Sequence, residues 1–377
     1  MREWVTIMAA KTTGISRELL IHPGETIADI LAERNISQAA LATSTGVSPA
    51  FISNVIGGKK DISARFAMDL EYALGVPRSF WLNLQANYDA ELLEVTEAET
   101  ITDEERAARK ELSEVIELLR AETVLPQEQS ADQTILSLRN ALRISNIANL
   151  GELVPLGSFR LAGDSAVNPL VMGAWLRLCQ ITSETIRVDG TYDKKNTGKL
   201  IADVRNVMMS VPSSELPEAL RNAMGSHGIA FSVVRHFKGA PVQGYVMRTD
   251  DGFYQMTVTI RRAYEDIFWF TLFHEIGHIV NGDVDVVGRG FIDGVSDGKR
   301  EKKADAFARD ALLDPSAYRR FVSDGDYTYN AIRSFALEQN VKPCIVIGRL
   351  QKEKRIPWDR FSKYKTRFKW NNAVSKG

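Results

Sequence analysis

The sequence predicts a mainly α-helical protein with one small β-sheet, an α+β chain in two working parts. Three observations carry this. Between Pro23 and Gly75, short amphipathic segments alternate with serine caps and glycine turns. Residues 228–262 hold three runs with strand-like patterning. Beyond them, an apolar helix around Phe268–Val280 contains the pattern His-Glu-x-x-His.

Composition sets the frame. At 377 residues, 44% apolar and 25% charged, the chain has room for two or three globular domains. Its apolar runs are too short and interrupted to span a membrane, and the Met-Arg-Glu-Trp start lacks the apolar core of a signal peptide. Cys179 and Cys344 form no framework and read as reduced, buried thiols, so a cytoplasmic location is expected.

Residues 1–22 show no period and read as a flexible tail. From Pro23 to Arg34, Ile27, Ile30 and Leu31 mark one helical face. Ser37 caps a helix from Gln38 to Thr43. Thr45-Gly46-Val47 is a tight turn, with Gly46 suited to positive φ. Ser48 caps the next helix, Pro49 stands at its first position, and the helix runs to Ile56. Ser63 opens another, closed by Gly75. Two short helices joined by a glycine-containing three-residue turn predict a helix-turn-helix. In that motif the second helix enters the major groove, so Ser48, Pro49, Ala50, Phe51, Ser53 and Asn54 are expected at the bases. Gln38, Lys59, Lys60 and Arg65 are expected at phosphates. Residues 1–88 contain eight Lys/Arg and eight Asp/Glu, so tight binding to operator DNA would need at least a homodimer.

Residues 89–105 hold eight acidic side chains and no basic one, and read as a solvated junction. Helical period returns over 104–122, 132–146 and 166–181, and two helices are expected within 194–224. Strands are expected at 228–234, 242–248 and 255–262, with the sheet edge nearest the metal open to a substrate strand. His227 and His236, beside the first strand, read either as aids to an oxyanion or, as is more common for a lone histidine there, as satisfied surface residues. After Pro315, helices are expected near 328–340 and 343–353. From Lys342 onward eleven Lys/Arg face two Asp/Glu, a basic tail interleaved with aromatics.

His274 and His278 are four residues apart, so both imidazoles leave one face of the apolar helix and supply two corners of a tetrahedral zinc site. Glu275, one residue on, is placed to take a proton from a water at the metal. Downstream, Glu301, Ala304, Asp305 and Ala308 recur on one face of a second helix. Glu301 can complete the site and leave the fourth position to water. Asp305 can accept the second ring proton of a ligand histidine.

Two resemblances follow from these residues. Phe-Trp-Phe-Thr-Leu-Phe-His-Glu-Ile-Gly-His (268–278), then Glu-x-x-Ala-Asp-x-Phe-Ala (301–308) and Leu-Leu-x-Pro (312–315), resemble the ImmA/IrrE family of zinc metallopeptidases. That resemblance implies a zincin-like C-terminal domain, Zn2+ held by His274, His278 and Glu301, catalysis by Glu275, and repressor-type protein substrates. Asp314 departs from the methionine common before the family's proline. Residues 20–92, with His22-Pro23-Gly24-Glu25 and Phe80-Trp81-Leu82, resemble the helix-turn-helix domain of HigA-type antitoxins.

The expected layout is a tail at 1–22, a DNA-binding domain at 23–92, a linker at 93–145, a metallopeptidase domain at 146–341 and a basic tail at 342–377. The expected function is a DNA-binding regulator carrying a zinc endopeptidase that cleaves a repressor or antitoxin. The alternative is a HigA-like antitoxin that binds a cognate toxin and DNA, its metal domain sensory or vestigial.

Overall fold

A computed structural model describes residues 20–154, 167–284, 291–292 and 298–370. Within these the chain divides into two compact units, one of residues up to Arg106 together with Glu128–Leu136, the other of Ala107–Gln127 together with Ser137 onward.

The first unit opens with α1 (Pro23–Glu33), α2 (Gln38–Thr45), α3 (Pro49–Ile56), α4 (Ala64–Leu74) and α5 (Arg78–Thr96). Their starts follow the caps. Ser37, Ser48 and Ser63 each accept a backbone N–H from the residue three positions on, at 3.1–3.2 Å. Gly46 closes α2 at φ 72°, the left-handed turn that frees the chain to swing into α3. The core gathers Ile27, Leu31, Leu41, Ile52, Val55, Phe66, Leu70 and Trp81. His22 is part of this domain and not of a tail: it is buried, and its Nδ1 caps α1 by accepting Gly24 N–H at 2.9 Å. Residues 1–19 of the expected tail lie outside the described residues.

The acidic stretch is also structured. Helix α5 continues to Thr96, and Gln85 on it accepts Ile62 N–H at 2.8 Å. Glu105 is fully buried, and Thr102 and Glu105 bond each other's backbone N–H in a capping box at the head of α6 (Asp103–Glu111). Asp89, Glu91, Glu99, Asp103 and Glu104 are exposed, so the stretch combines helical backbone with solvated carboxylates, and Glu105 is drawn into the interior. The expected helix at 104–122 breaks at Leu112 into α6 and α7 (Ser113–Ala121). Then comes α8 (Ala131–Ala141), shorter than the expected 132–146.

In the second unit, α9 (Pro169–Glu184), α10 (Thr197–Ser210) and α11 (Leu216–Gly225) precede the sheet. Strands β1 (Ile229–Val233), β2 (Gly244–Arg248) and β3 (Tyr254–Val258) lead to α12 (Glu265–Asn281); β4 (Phe291–Ile292) lies between α12 and α13 (Gly298–Leu312). The order across the sheet is β1-β3-β2-β4, with β1 parallel to β3 and the other pairs antiparallel. Strand β2 is paired on its outer side at Tyr245 and Val246 with Ile292 and Phe291, which leaves β4 as the edge strand on that side.

Helix α14 (Pro315–Asp324) was not anticipated. Asp314 caps it by accepting Ser316 and Ala317 N–H at 3.0 and 2.7 Å, so the aspartate that departs from the metallopeptidase pattern has a local role as a cap. Next are α15 (Tyr329–Glu338) and α16 (Pro343–Lys352). The boundary placed at residue 342 does not exist as a break. Cys344, Ile345, Val346, Ile347 and Leu350 of α16 join the core of α12 and the sheet. At roughly 1.5–3 kcal/mol per large aliphatic side chain buried, this outweighs the mutual repulsion of surface cations, so a segment that looks like a tail by charge folds as core. Residues 371–377 lie outside the described residues. Among the described residues no single helix is long and apolar enough to cross a membrane.

Candidate metal centre and nucleic-acid interface

Helix α12 is buried along most of its length, including His274, Glu275 and His278. Helix α13 packs across it at the smallest side chains: a Cβ on Gly277 would stand 3.1 Å from Ala304 Cα. This close approach is why alanines recur on α13, and it brings Glu301, one turn before Ala304, up to the histidines.

Suitable ligand atoms of His274, His278 and Glu301 lie within 4.8 Å of one another. His274 Nε2 is 3.0 Å from His278 Nε2 and 3.1 Å from Glu301 Oε2. Each ring is held from behind by a carboxylate. His274 Nδ1 bonds Asp305 at 2.9 Å, and His278 Nδ1 bonds Asp283 at 2.8 Å. A carboxylate only accepts at neutral pH, so both Nδ1 atoms carry the proton and both Nε2 atoms present lone pairs. Two lone pairs facing each other at this range repel unless a cation lies between them. Ligands of a tetrahedral zinc at about 2.0–2.1 Å stand about 3.4 Å apart, close to the separations found. The donor set fits zinc. Burial, opposed by the Asp283 hydrogen bond and reinforced by neighbouring His274, holds His278 below the usual imidazole range, which favours the neutral ligand form.

Asp283 is the residue the sequence reading missed. It follows Gly282, the left-handed C-cap of α12, and its N–H returns to His278 O at 3.0 Å. That turn folds the Asp283 carboxylate back onto the ring of the histidine five residues earlier. A glycine and an aspartate directly after a His-Glu-x-x-His helix are the available signal. Arg300 Nε lies 3.7 Å from the other Asp283 oxygen.

Glu275 is fully buried and faces the first residue of β2. A Cβ on Gly244 would overlap its carboxylate, so any larger residue there would have to displace the Glu275 side chain. His227 is held by Asp203 at 2.8 Å and His236 is half-buried near Arg235 and Arg261; neither belongs to the cluster of His274, His278 and Glu301.

In the first unit, α2 and α3 meet at 114°, within the range of a helix-turn-helix. Gln38, Ser48, Pro49, Ala50, Ser53, Lys59 and Lys60 are exposed, and Asn54 is half-buried. The Ser48 hydroxyl is engaged as the cap of α3. Phe51 differs from expectation: it is half-buried edge-on against Phe66, with ring centroids 5.0 Å apart, and Lys60 Nζ lies 4.9 Å over its ring. Its position three residues after the cap turns it toward the domain core, which competes with groove contact for the same ring. Arg65 lies 3.4 Å from Asp69, which offsets its charge toward phosphate.

Comparison with known proteins bears on this first unit. No curated protein matches the chain. A Nostoc punctiforme structure described as a putative antidote protein of a plasmid maintenance system is 42% identical, covering 21% of this chain and 87% of its own, with a TM-score of 0.21. Pseudomonas aeruginosa antitoxin HigA, solved with the higBA promoter, is 31% identical over 22% of this chain and 97% of its own, at a TM-score of 0.21. An addiction module antidote protein of the HigA family from Coxiella burnetii is 30% identical over 22% and 96%, at 0.20. The helix-turn-helix family description matches residues 27–81, the stretch that builds α1 to α4 and the start of α5. Through that DNA-binding domain, the chain belongs to the helix-turn-helix family.

Proposed function

We propose that this DNA-binding regulator is also a zinc-dependent endopeptidase acting on a partner protein, a repressor or an antitoxin, in the cytoplasm and as a homodimer. The observation that carries the reading is the constellation of His274, His278 and Glu301 beside a buried Glu275. Zinc held by the three ligands supplies a Lewis acid and a water of lowered pKa. Asp305 and Asp283 fix the ring tautomers so that both Nε2 atoms face the metal position. Glu275 holds the proton taken from the attacking water and passes it to the leaving amine. Its burial and its fit against Gly244 keep the carboxylate in place and exclude competing water. Among the described residues three side chains offer ligand atoms, which is the pattern of a catalytic zinc; structural sites use four.

A second reading, an antitoxin-like regulator that binds a toxin and DNA while its metal domain senses or is vestigial, is favoured by the even charge of residues 1–88, which suits protein contacts as well as DNA. One experiment separates the two. Purified full chain is loaded with zinc and incubated with the products of neighbouring genes. The endopeptidase reading expects a discrete, chelator-sensitive cut that Glu275→Gln abolishes while retaining zinc. Stable complex formation with a small toxin and no cut in any product favours the second reading.

A further inference from the structure

The segment after α16 is folded around one buried amide. Gln351, 1% exposed, donates from Nε2 to Trp358 O and Arg360 O, both at 3.0 Å, and its Oε1 accepts Lys365 Nζ at 3.1 Å. Ile356 is buried in the core of the second unit. Farther on, Thr366 O accepts Glu265 N–H at 3.0 Å, and Phe368 N–H donates to Ala263 O at 2.6 Å. The segment is thus fixed to α16 at one end and to the head of α12 at the other.

That frame carries a concentration of positive charge. Residues 354–370 hold seven Lys/Arg and one carboxylate, Asp359. Lys365 is buried against Asp266 at 2.6 Å. The other six, Lys354, Arg355, Arg360, Lys363, Arg367 and Lys369, are exposed. Ring contacts connect most of them. Lys365 Nζ stands 5.9 Å from the Trp358 ring and 5.2 Å from the Tyr264 ring, and the Arg367 guanidinium lies 4.9 Å over Tyr264. Arg360 lies 4.9 Å over Phe361, Phe361 is 6.2 Å from Tyr364, and Lys363 Nζ is 5.0 Å over Tyr364.

Two aromatic rings stand open among these charges. Trp358 is 63% exposed although its backbone is held by Gln351. Tyr364, 39% exposed, stacks on Tyr329 at 3.7 Å and 15°, so one of its faces is backed by protein. An indole left in water forgoes the burial that large aromatics usually contribute. An exposed ring flanked by cations can instead stack an unpaired base while the phosphates on either side meet Lys and Arg. Duplex DNA keeps its bases stacked on one another and offers no base face to an indole on the surface. An acidic peptide would answer the cations and leave both rings in water.

We propose that residues 354–370 form a binding surface for single-stranded nucleic acid, with Trp358 and Tyr364 as base-stacking platforms and Lys354, Arg355, Lys363 and Arg367 at the phosphates. This is a second nucleic-acid contact, on the other unit from the helix-turn-helix, and it does not depend on the endopeptidase reading. Stacking on a ring face tolerates any base, so the surface takes strands without a fixed sequence. Base faces and phosphates are common to RNA and DNA, and the experiment separates these two sources.

The test is fluorescence anisotropy of the full chain with fluorescein-labelled oligouridylate and oligothymidylate of about 12 nucleotides, over a series of salt concentrations. Trp358→Ala is expected to weaken binding about tenfold, the scale of one base stacked on an aromatic ring, and Trp358→Phe to retain most of it. Lys354→Gln with Lys363→Gln should flatten the slope of log affinity against log salt by about 1.4. The tighter of the two oligomers identifies RNA or DNA as the source. Circular dichroism checks that each variant is folded. Parent-like affinity in Trp358→Ala overturns the surface, and an unchanged salt slope in the lysine pair overturns it independently. So does binding that Lys59→Ala with Lys60→Ala removes while the Trp358 variant does not, which would assign the strand to the helix-turn-helix. Polyglutamate bound as tightly as the oligomers, with Trp358→Ala silent, would make the patch a docking face for an acidic protein instead.

Discussion

Gly244 and Glu275 touch so closely that a single added methyl group at residue 244 would overlap the buried carboxylate. The first residue of β2 is thus a positioning device for Glu275, the proposed base. Gly244→Ala is expected to push Glu275 aside without disturbing the ligands. Zinc content should stay at one per chain, while the rate of substrate cleavage falls on the order of a hundredfold, the cost of about 1 Å of misplacement. Metal analysis beside a kinetic assay reads both; a parent-like rate would sink the assigned contact.

The ligand set makes a separate demand. His274→Ala or His278→Ala should lose most of the zinc, because two protein ligands rarely retain it. Asp283→Asn keeps the shape behind His278 but weakens the charge that orients the ring, and should lower zinc affinity roughly 10–100-fold. Competition with a chromophoric chelator gives the number. Full affinity in Asp283→Asn would show that the Asp283–His278 bond does not tune the site.

Acid should destabilise the zinc-free protein through His278. Its folded-state pKa lies below the usual value of 6.5, chiefly because burial disfavours the charged ring. Between the folded value and 6.5 the unfolded chain binds more protons, so stability rises with pH across that window. The contribution is complete above 6.5 and is lost as pH falls toward the folded pKa. Urea melts of zinc-free parent and His278→Gln from about pH 8 down to about pH 5 should show a slope in the parent that flattens in the variant.

On DNA, Asn54→Ala should cost about 1–3 kcal/mol at the specific site and relax base choice there. Replacing Lys59 and Lys60 together should weaken binding to all duplexes alike and flatten its salt dependence. Ser48→Ala acts differently: it removes the cap of α3 and should cost about 1 kcal/mol of domain stability. Anisotropy titrations at two salt concentrations, against promoter and scrambled duplexes, separate the three. No preference for the promoter in the parent chain would remove operator binding from the reading.

What the sequence determined by itself is whatever is local. Serine caps, the Gly46 turn and helical period placed α1 to α4 because capping and left-handed turns are satisfied within a few residues. The i, i+4 histidines needed only helical geometry to share a face. Glu301 was legible because its alanine neighbours already described a face that packs closely. The tertiary structure decided what depends on partners distant in sequence or on turns that composition does not encode. The Asp283 bond to His278 requires the chain to reverse after Gly282. Phe51 belongs partly to the core because Phe66 waits across the domain. The role of Gly244 appears only when β2 meets α12. The charge run beyond Lys342 misled most. A count of charges records what water would prefer, whereas caps, ion pairs and burial of the intervening apolar residues decide where the segment goes.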